Sequence, residues 1–199
     1  MSQLGSYGFL DSAGNVKLPH FFDDVRGFRE GLAPAQLAGK FGYINSEGKS
    51  LIPSHFDLAM PFFGGLARVE VDGSWGYIAR SGEFSIHPKF QDARDFREGL
   101  AAVQEHKHWG YLNRTGDYEI PPAFDSAGYF SDGMARVEVD GRYGFVDRNG
   151  VMRIEPQFRQ AADFHCGLAL VETTKEIGYV DLEGNIVWRS PYLDVSFAY

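Results

Sequence analysis

The stretch that decides the fold is "LARVEVDGSWGYIARSG", Leu66–Gly82. After Leu66 and Ala67, Val69 and Val71 alternate with Arg68 and Glu70, which is strand spacing. Asp72-Gly73 then supplies a two-residue hairpin turn, since a type I′ turn needs positive φ at both central positions. A second strand, "SWGYIA", follows, with Gly76 inside it. Gly in a strand costs backbone entropy and packs nothing, so its presence asks for a reason. The sequence suggests one: Gly76 leaves room for an aromatic ring to lie flat on the backbone.

That glycine recurs at 8, 42, 76, 110, 144 and 178, every 34 residues. An aromatic residue always follows it (Phe9, Tyr43, Tyr77, Tyr111, Phe145, Tyr179), and then an aliphatic one (Leu10, Ile44, Ile78, Leu112, Val146, Val180). Another glycine comes six residues after the first in every unit, from Gly14 to Gly184. Phe22 and Phe28 have copies in each of the next four units, and so does the Gly31-Leu32-Ala33 block, with Met134 in place of Leu once. A period of 34 also belongs to helical tetratricopeptide arrays. Pro53, Pro88, Pro122 and Pro156, with several glycines per unit, exclude helices of that length.

Each unit therefore reads as three short strands, the third ("FSIHP") stopping at Pro88. The stretch "KFQDARDFREG" reads as a loop with room for one helical turn, its Phe90 and Phe96 plugging the core. The chain is expected to be one all-β repeat domain over 1–199. A partial repeat covers 7–31, repeats start at 32, 66, 100, 134 and 168, and a C-terminal cap covers 189–199. An open, solenoid-like stack is favoured over a six-bladed, propeller-like ring, because 34 residues leave little for the fourth strand of a blade. In a ring, "PYLDVSFAY" would complete the first unit; in a stack it would cap the last.

These residues resemble the WG-repeat family, bacterial β-rich repeats named for a Trp-Gly pair. The likeness runs over about 7–188 and rests on many columns in register, as in "WGYIARSGEFSIHPKF". The Trp stands at Trp75 and Trp109 and gives way to Phe41, Tyr143 and Ile177. Ala79 replaces the usual Asp or Asn after "GYI". The resemblance implies a repeat scaffold and no shared reaction.

The totals narrow the function classes. With 27 acidic and 19 basic residues the formal net charge is -8, and the cations are scattered singly. Nucleic acid and anionic membranes repel such a chain. Cys166 is the sole cysteine, so no intrachain disulfide forms. The start "MSQLGSYGFLDSAGNV" lacks the basic and apolar regions of a signal peptide, so a cytoplasmic location is the expectation.

No catalytic, metal or cofactor site is expected. His20, His55 and His87 are spread one per unit. His106 and His108 flank Lys107 at a hairpin tip and lack a third ligand. Cys166 beside His165 lacks an orienting group. Asp11, Asn45, Asn113, Asp147 and Asp181 recur where they would cap a bend. Function is sought where the repeats differ. Arg68 and Arg136 share a column, read as outward, that is Pro34, Ala102 and Leu170 elsewhere. With His106 and His108 they are the candidate partner-binding residues. The expected activity is non-enzymatic protein or peptide binding, as an adaptor or a neutraliser of a partner. The alternative is a small-molecule or carbohydrate binder in a propeller-like ring.

Overall fold

The computed structural model describes residues 7–10 and 12–191, and every regular element among them is a β-strand. The chain divides into two compact units, Met1–Asp95 and Phe96–Tyr199. Among the described residues the strands form six antiparallel sheets, the first of two strands, Tyr7–Leu10 and Val16–Phe22. The segment 192–199, assigned to the cap, lies outside the described residues.

One repeat of the first unit shows the plan. Leu66–Val71 pairs with Ser74–Ala79 across the Asp72-Gly73 turn, in register from Leu66↔Ala79 to Val71↔Ser74. Asp72 and Gly73 take φ of 49° and 74°, as a type I′ turn requires. Ser74–Ala79 pairs on its other side with Phe84–Phe90. In the second unit Met134–Val139, Arg142–Asp147 and Met152–Phe158 repeat this arrangement. The bend after the middle strand is closed by a side chain. Asp147 Oδ1 accepts from the N–H groups of Asn149 and Val151, and Asp181 does the same for Glu183 and Asn185. Ala79 has no such oxygen, and there Ser81 Oγ accepts from Glu83 N–H.

Three expectations are corrected. The third strand does not stop at Pro88; it runs on to Phe90. Tyr77 pairs with Ile86 and Trp75 with Phe90, so three residues, His87 to Lys89, bulge opposite Gly76. A bulge is where a strand tolerates a residue with no N–H to donate. Secondly, the presumed loop carries a fourth strand and no helical turn. Leu58–Ala59 pairs with Leu66–Val71, Asp24–Val25 with Ala33–Leu37, and Ser126–Ser131 with Met134–Val139. A two-residue turn then leads into the next strand: in the first repeat Arg29 bridges Leu32, with Glu30 and Gly31 at φ of 50° and 80°. The sheets after the first are thus four-stranded.

Thirdly, the space at Gly76 where a side chain would start is filled by backbone and not by an aromatic ring. A Cβ placed there would fall 2.6 Å from Pro88 N, 2.7 Å from the Ile86 carbonyl oxygen and 2.9 Å from His87 C. Gly110 and Gly144 face the same bulge of their own neighbours, at 2.6 Å from Ile120 O and 2.5 Å from Ile154 O. The column excludes a side chain because another backbone occupies its space.

The core is built between sheets. Tyr77 and Ile78, adjacent in one strand, point to opposite faces and are both buried. Ile78 joins the cluster of Tyr43, Ile52, Phe56 and Phe62 from the preceding repeat. In the second unit Val146 joins Tyr111 and Ile120, and Val180 joins Phe145 and Ile154. The aromatic face looks the other way, towards the following repeat. The Tyr43 and Tyr111 rings pack on Phe62 and Phe130, centroids 5.0 and 4.8 Å apart. Their hydroxyls donate to the carbonyls of Met60 and Gly128 at 2.8 and 3.0 Å. Burial pushes the Tyr43 phenol well above its usual pKa. Carboxylates add ties between repeats: Glu30 accepts from Gly65 N–H, Glu98 from Gly133 N–H and Asp132 from Gly167 N–H.

Gly110→Ala forces a methyl into the Ile120–Pro122 backbone, and the expected loss is about 1–3 kcal/mol. Gly27, whose added Cβ would meet nothing within 4 Å, is the control: Gly27→Ala changes stability by less than about 0.5 kcal/mol. Urea denaturation of the two variants checks this, and equal midpoints contradict it.

Candidate functional site

Arg68 lies opposite Tyr77 across the ladder, so it shares the buried face that looks to the following repeat. The outward reading of its column is therefore corrected. Arg68 Nε donates to Asp95 Oδ1 at 2.9 Å, its Nη1 donates to the Ala93 carbonyl, and its guanidinium stacks 5.1 Å over Trp75. Its side chain is 17% exposed and that of Asp95 14%. Arg136 repeats the arrangement with the Ala161 carbonyl and Tyr143, at a looser 3.7 Å from Asp163. Both arginines fasten one repeat to the next.

The structure leaves His106 and His108 exposed. His106 and Lys107 are the two turn residues, at φ of 51° and 71°, and His108 pairs with Glu105. His55 and His87 are exposed and lie against Phe56 and Phe84, and Cys166 is an exposed turn residue at φ 52°. The side chain of His20 and Asp11 lie outside the described residues. Among the described residues no three His, Cys, Asp or Glu side chains group to hold a metal ion. No described helix is long and apolar enough to cross a membrane.

The surface that stands out belongs to the last sheet: Gln160–Ala161, Ala169–Glu172, Glu176–Val180 and Ile186–Pro191. Leu170 pairs with Tyr179, and Tyr179 with Trp188, so the three side chains form one row across adjacent strands. They are 40%, 39% and 52% exposed. The Tyr179 and Trp188 rings are in contact, with centroids 5.8 Å apart. The equivalent rows in earlier repeats are closed: Tyr43, Ile52, Tyr111, Ile120, Phe145 and Ile154 are all buried. Beside Leu170 opens an apolar depression of about 230 Å³, with Ala161, Ala162, Val171 and Ile177 on its walls. Leu170 and Ile177 occupy the columns where Arg136 and Tyr143 stand one repeat earlier, so the arginine latch is replaced by an apolar hollow. The last ladder keeps its register over Glu176–Tyr179 and shifts only between Tyr179 and Val180. Ile177 pairs with Ser190 and Gly178 with Arg189, without the bulge that breaks the other outer strands.

A second depression, about 210 Å³, lies among Arg97, Tyr129, Ser131, Asp163 and two phenylalanines in the same unit. Sequence reasoning missed the open row. Its signal was present as departures from column: Leu170 for Arg, Ile177 for Trp or Tyr, and Trp188 for Ile.

The family model described as WG containing repeat matches residues 7–41, 41–75, 75–107, 109–143 and 143–174. No curated protein matches the chain. Among solved structures, Hsv2p of Kluyveromyces lactis superposes with a TM-score of 0.54 at 9% identity, over 83% of this chain and 62% of that one. Hsv2 of K. marxianus gives 0.52 at 11% identity, over 83% and 60%. The chain thus spans about three fifths of the length of these structures, and at such identity the likeness is one of fold.

Arg68→Ala leaves Asp95 and the Ala93 carbonyl without a partner, and the expected loss is about 2–3 kcal/mol. Arg142→Ala, at an exposed turn-flanking position, changes stability by less than about 0.5 kcal/mol. Thermal denaturation of both variants is the check; a harmless Arg68→Ala contradicts the latch.

Proposed function

The chain belongs to the WG-repeat family, and from that premise we propose that it is a non-enzymatic scaffold for protein–protein interaction, an adaptor or a neutraliser of a partner protein. The observation that carries the reading is the open Leu170–Tyr179–Trp188 row. A contiguous exposed apolar patch on a soluble β-fold marks an interaction site more often than a random surface. Paired aromatics beside a shallow hollow are the composition of an interface centre. The net charge of -8 supports a protein partner over nucleic acid or an anionic membrane, and it suits the cytoplasm.

Four of the titratable groups have structural roles: Asp147 and Asp181 close bends, and Arg68 and Arg136 fasten repeats. The open-stack expectation rested on there being no fourth strand. With that strand present, each four-stranded sheet is read as a blade of propeller type, in keeping with the Hsv2 likeness. A small-molecule or carbohydrate site would draw on the hollow at Arg97 and Tyr129. A polar depression of about 500 Å³ among Asp140, Arg142, Arg159, Gln160 and Glu172 offers a second such place; the exposed Leu170–Tyr179–Trp188 row is what favours the protein-binding reading.

Cross-linking pull-downs with the wild type and a Trp188→Asp bait test the proposal. The expected result is a protein partner held by the wild type and lost by the variant. A glycan or metabolite that shifts the melting temperature, with no Trp188-dependent protein captured, overturns it.

A further inference from the structure

The row on the last sheet is a place with a known shape of occupant, because the same row is filled in the repeats before it. What fills it is the bend and middle strand of the following repeat. The Cβ position of Gly82 lies 3.1 Å from Ile52, that of Gly150 3.2 Å from Ile120, and that of Gly184 3.3 Å from Ile154. Trp188 stands in the column of these isoleucines, and it is 52% exposed, with no such bend on it among the described residues. The aliphatic residue of the following repeat completes each contact: Ile78 with Tyr43 and Ile52, Val146 with Tyr111 and Ile120, and Val180 with Phe145 and Ile154.

The first sheet carries the matching half, and its described residues are exposed. Gly14 has the same left-handed conformation as Gly82 and Gly150, at φ +83°, yet a Cβ there would meet nothing within 4 Å. Leu10, in the column of the buried Ile44, Ile78, Val146 and Val180, is 66% exposed. Val16, whose counterparts Phe84 and Met152 are partly buried against the preceding repeat, is 61% exposed. One end of the repeat series is thus a receiving face, and the other is a face built to be received.

We propose that the Leu170–Tyr179–Trp188 face docks a second copy of this chain, head to tail, by taking that copy's Gly14 bend with Leu10 and Val16. The proposal rests on the protein-binding reading of the same face and names its partner. Both surfaces are apolar, so burial of nonpolar area drives the contact. The two surfaces differ from one another, so the interface is heterologous: it closes as a ring of copies or propagates as a chain of them.

Sedimentation velocity of the full chain across the micromolar range tests it. The wild type is expected to form dimers or larger species as concentration rises. Trp188→Asp, which spoils the receiving face, and Leu10→Asp, which spoils the received one, each weaken association roughly tenfold or more. An equal mixture of the two variants restores a 1:1 heterodimer, because it keeps one intact face of each kind. Circular dichroism melts confirm that the variants fold, and Leu170→Lys replaces Trp188→Asp if that variant does not. A wild type that stays monomeric, or a mixture that does not re-associate, overturns the proposal. If the wild type is monomeric while Trp188-dependent capture of a different protein persists, self-association fails and the broader reading stands.

Discussion

The structure depends on burying both faces of the middle strand. Tyr77 and Ile78, like Tyr111 and Leu112 or Phe145 and Val146, are neighbours in sequence that face opposite ways, and each is almost inaccessible to water. A single sheet cannot do that. A repeat of 34 residues has too little apolar surface to stand alone, and stacking supplies the missing half. The other devices serve this arrangement. Gly76 and its copies let the outer strand's backbone close in, the tyrosine hydroxyls reach loop carbonyls of the next repeat, and Arg68 and Arg136 pin the joins.

Much of this was legible because it is local. Asp72-Gly73 specifies its turn through φ alone, and Asp147 and Asp181 specify their bends through hydrogen bonds two and four residues away. The aromatic–aliphatic columns announced a shared core. The features that were misread depend on partners distant in sequence. Leu58–Ala59 is a strand only because Leu66–Val71 lies beside it, and two residues cannot show a period. Pro88 ordinarily argues against a continuing strand; here the bulge opposite Gly76 absorbs it.

Arg68 was misplaced for a related reason. Alternation of apolar and charged residues marks an outward face when a sheet has one wet side. In this chain the second side is covered as well, so the alternation separates two buried faces. A half-buried arginine survives there because Asp95, the Ala93 carbonyl and the Trp75 ring surround it. The candidate site inverts that logic. On the last described sheet the same columns hold Leu170, Tyr179 and Trp188, and they are exposed.

If stability comes from neighbours covering both faces, protection should follow position in the series. Hydrogen exchange by mass spectrometry, at concentrations where the chain is monomeric, reads this directly. Amides of the middle strands Ser74–Ala79, His108–Leu112 and Arg142–Asp147 should exchange slowest. Those of Glu176–Val180, covered on one face, should exchange markedly faster. Equal protection of Glu176–Val180 and His108–Leu112 would contradict the account.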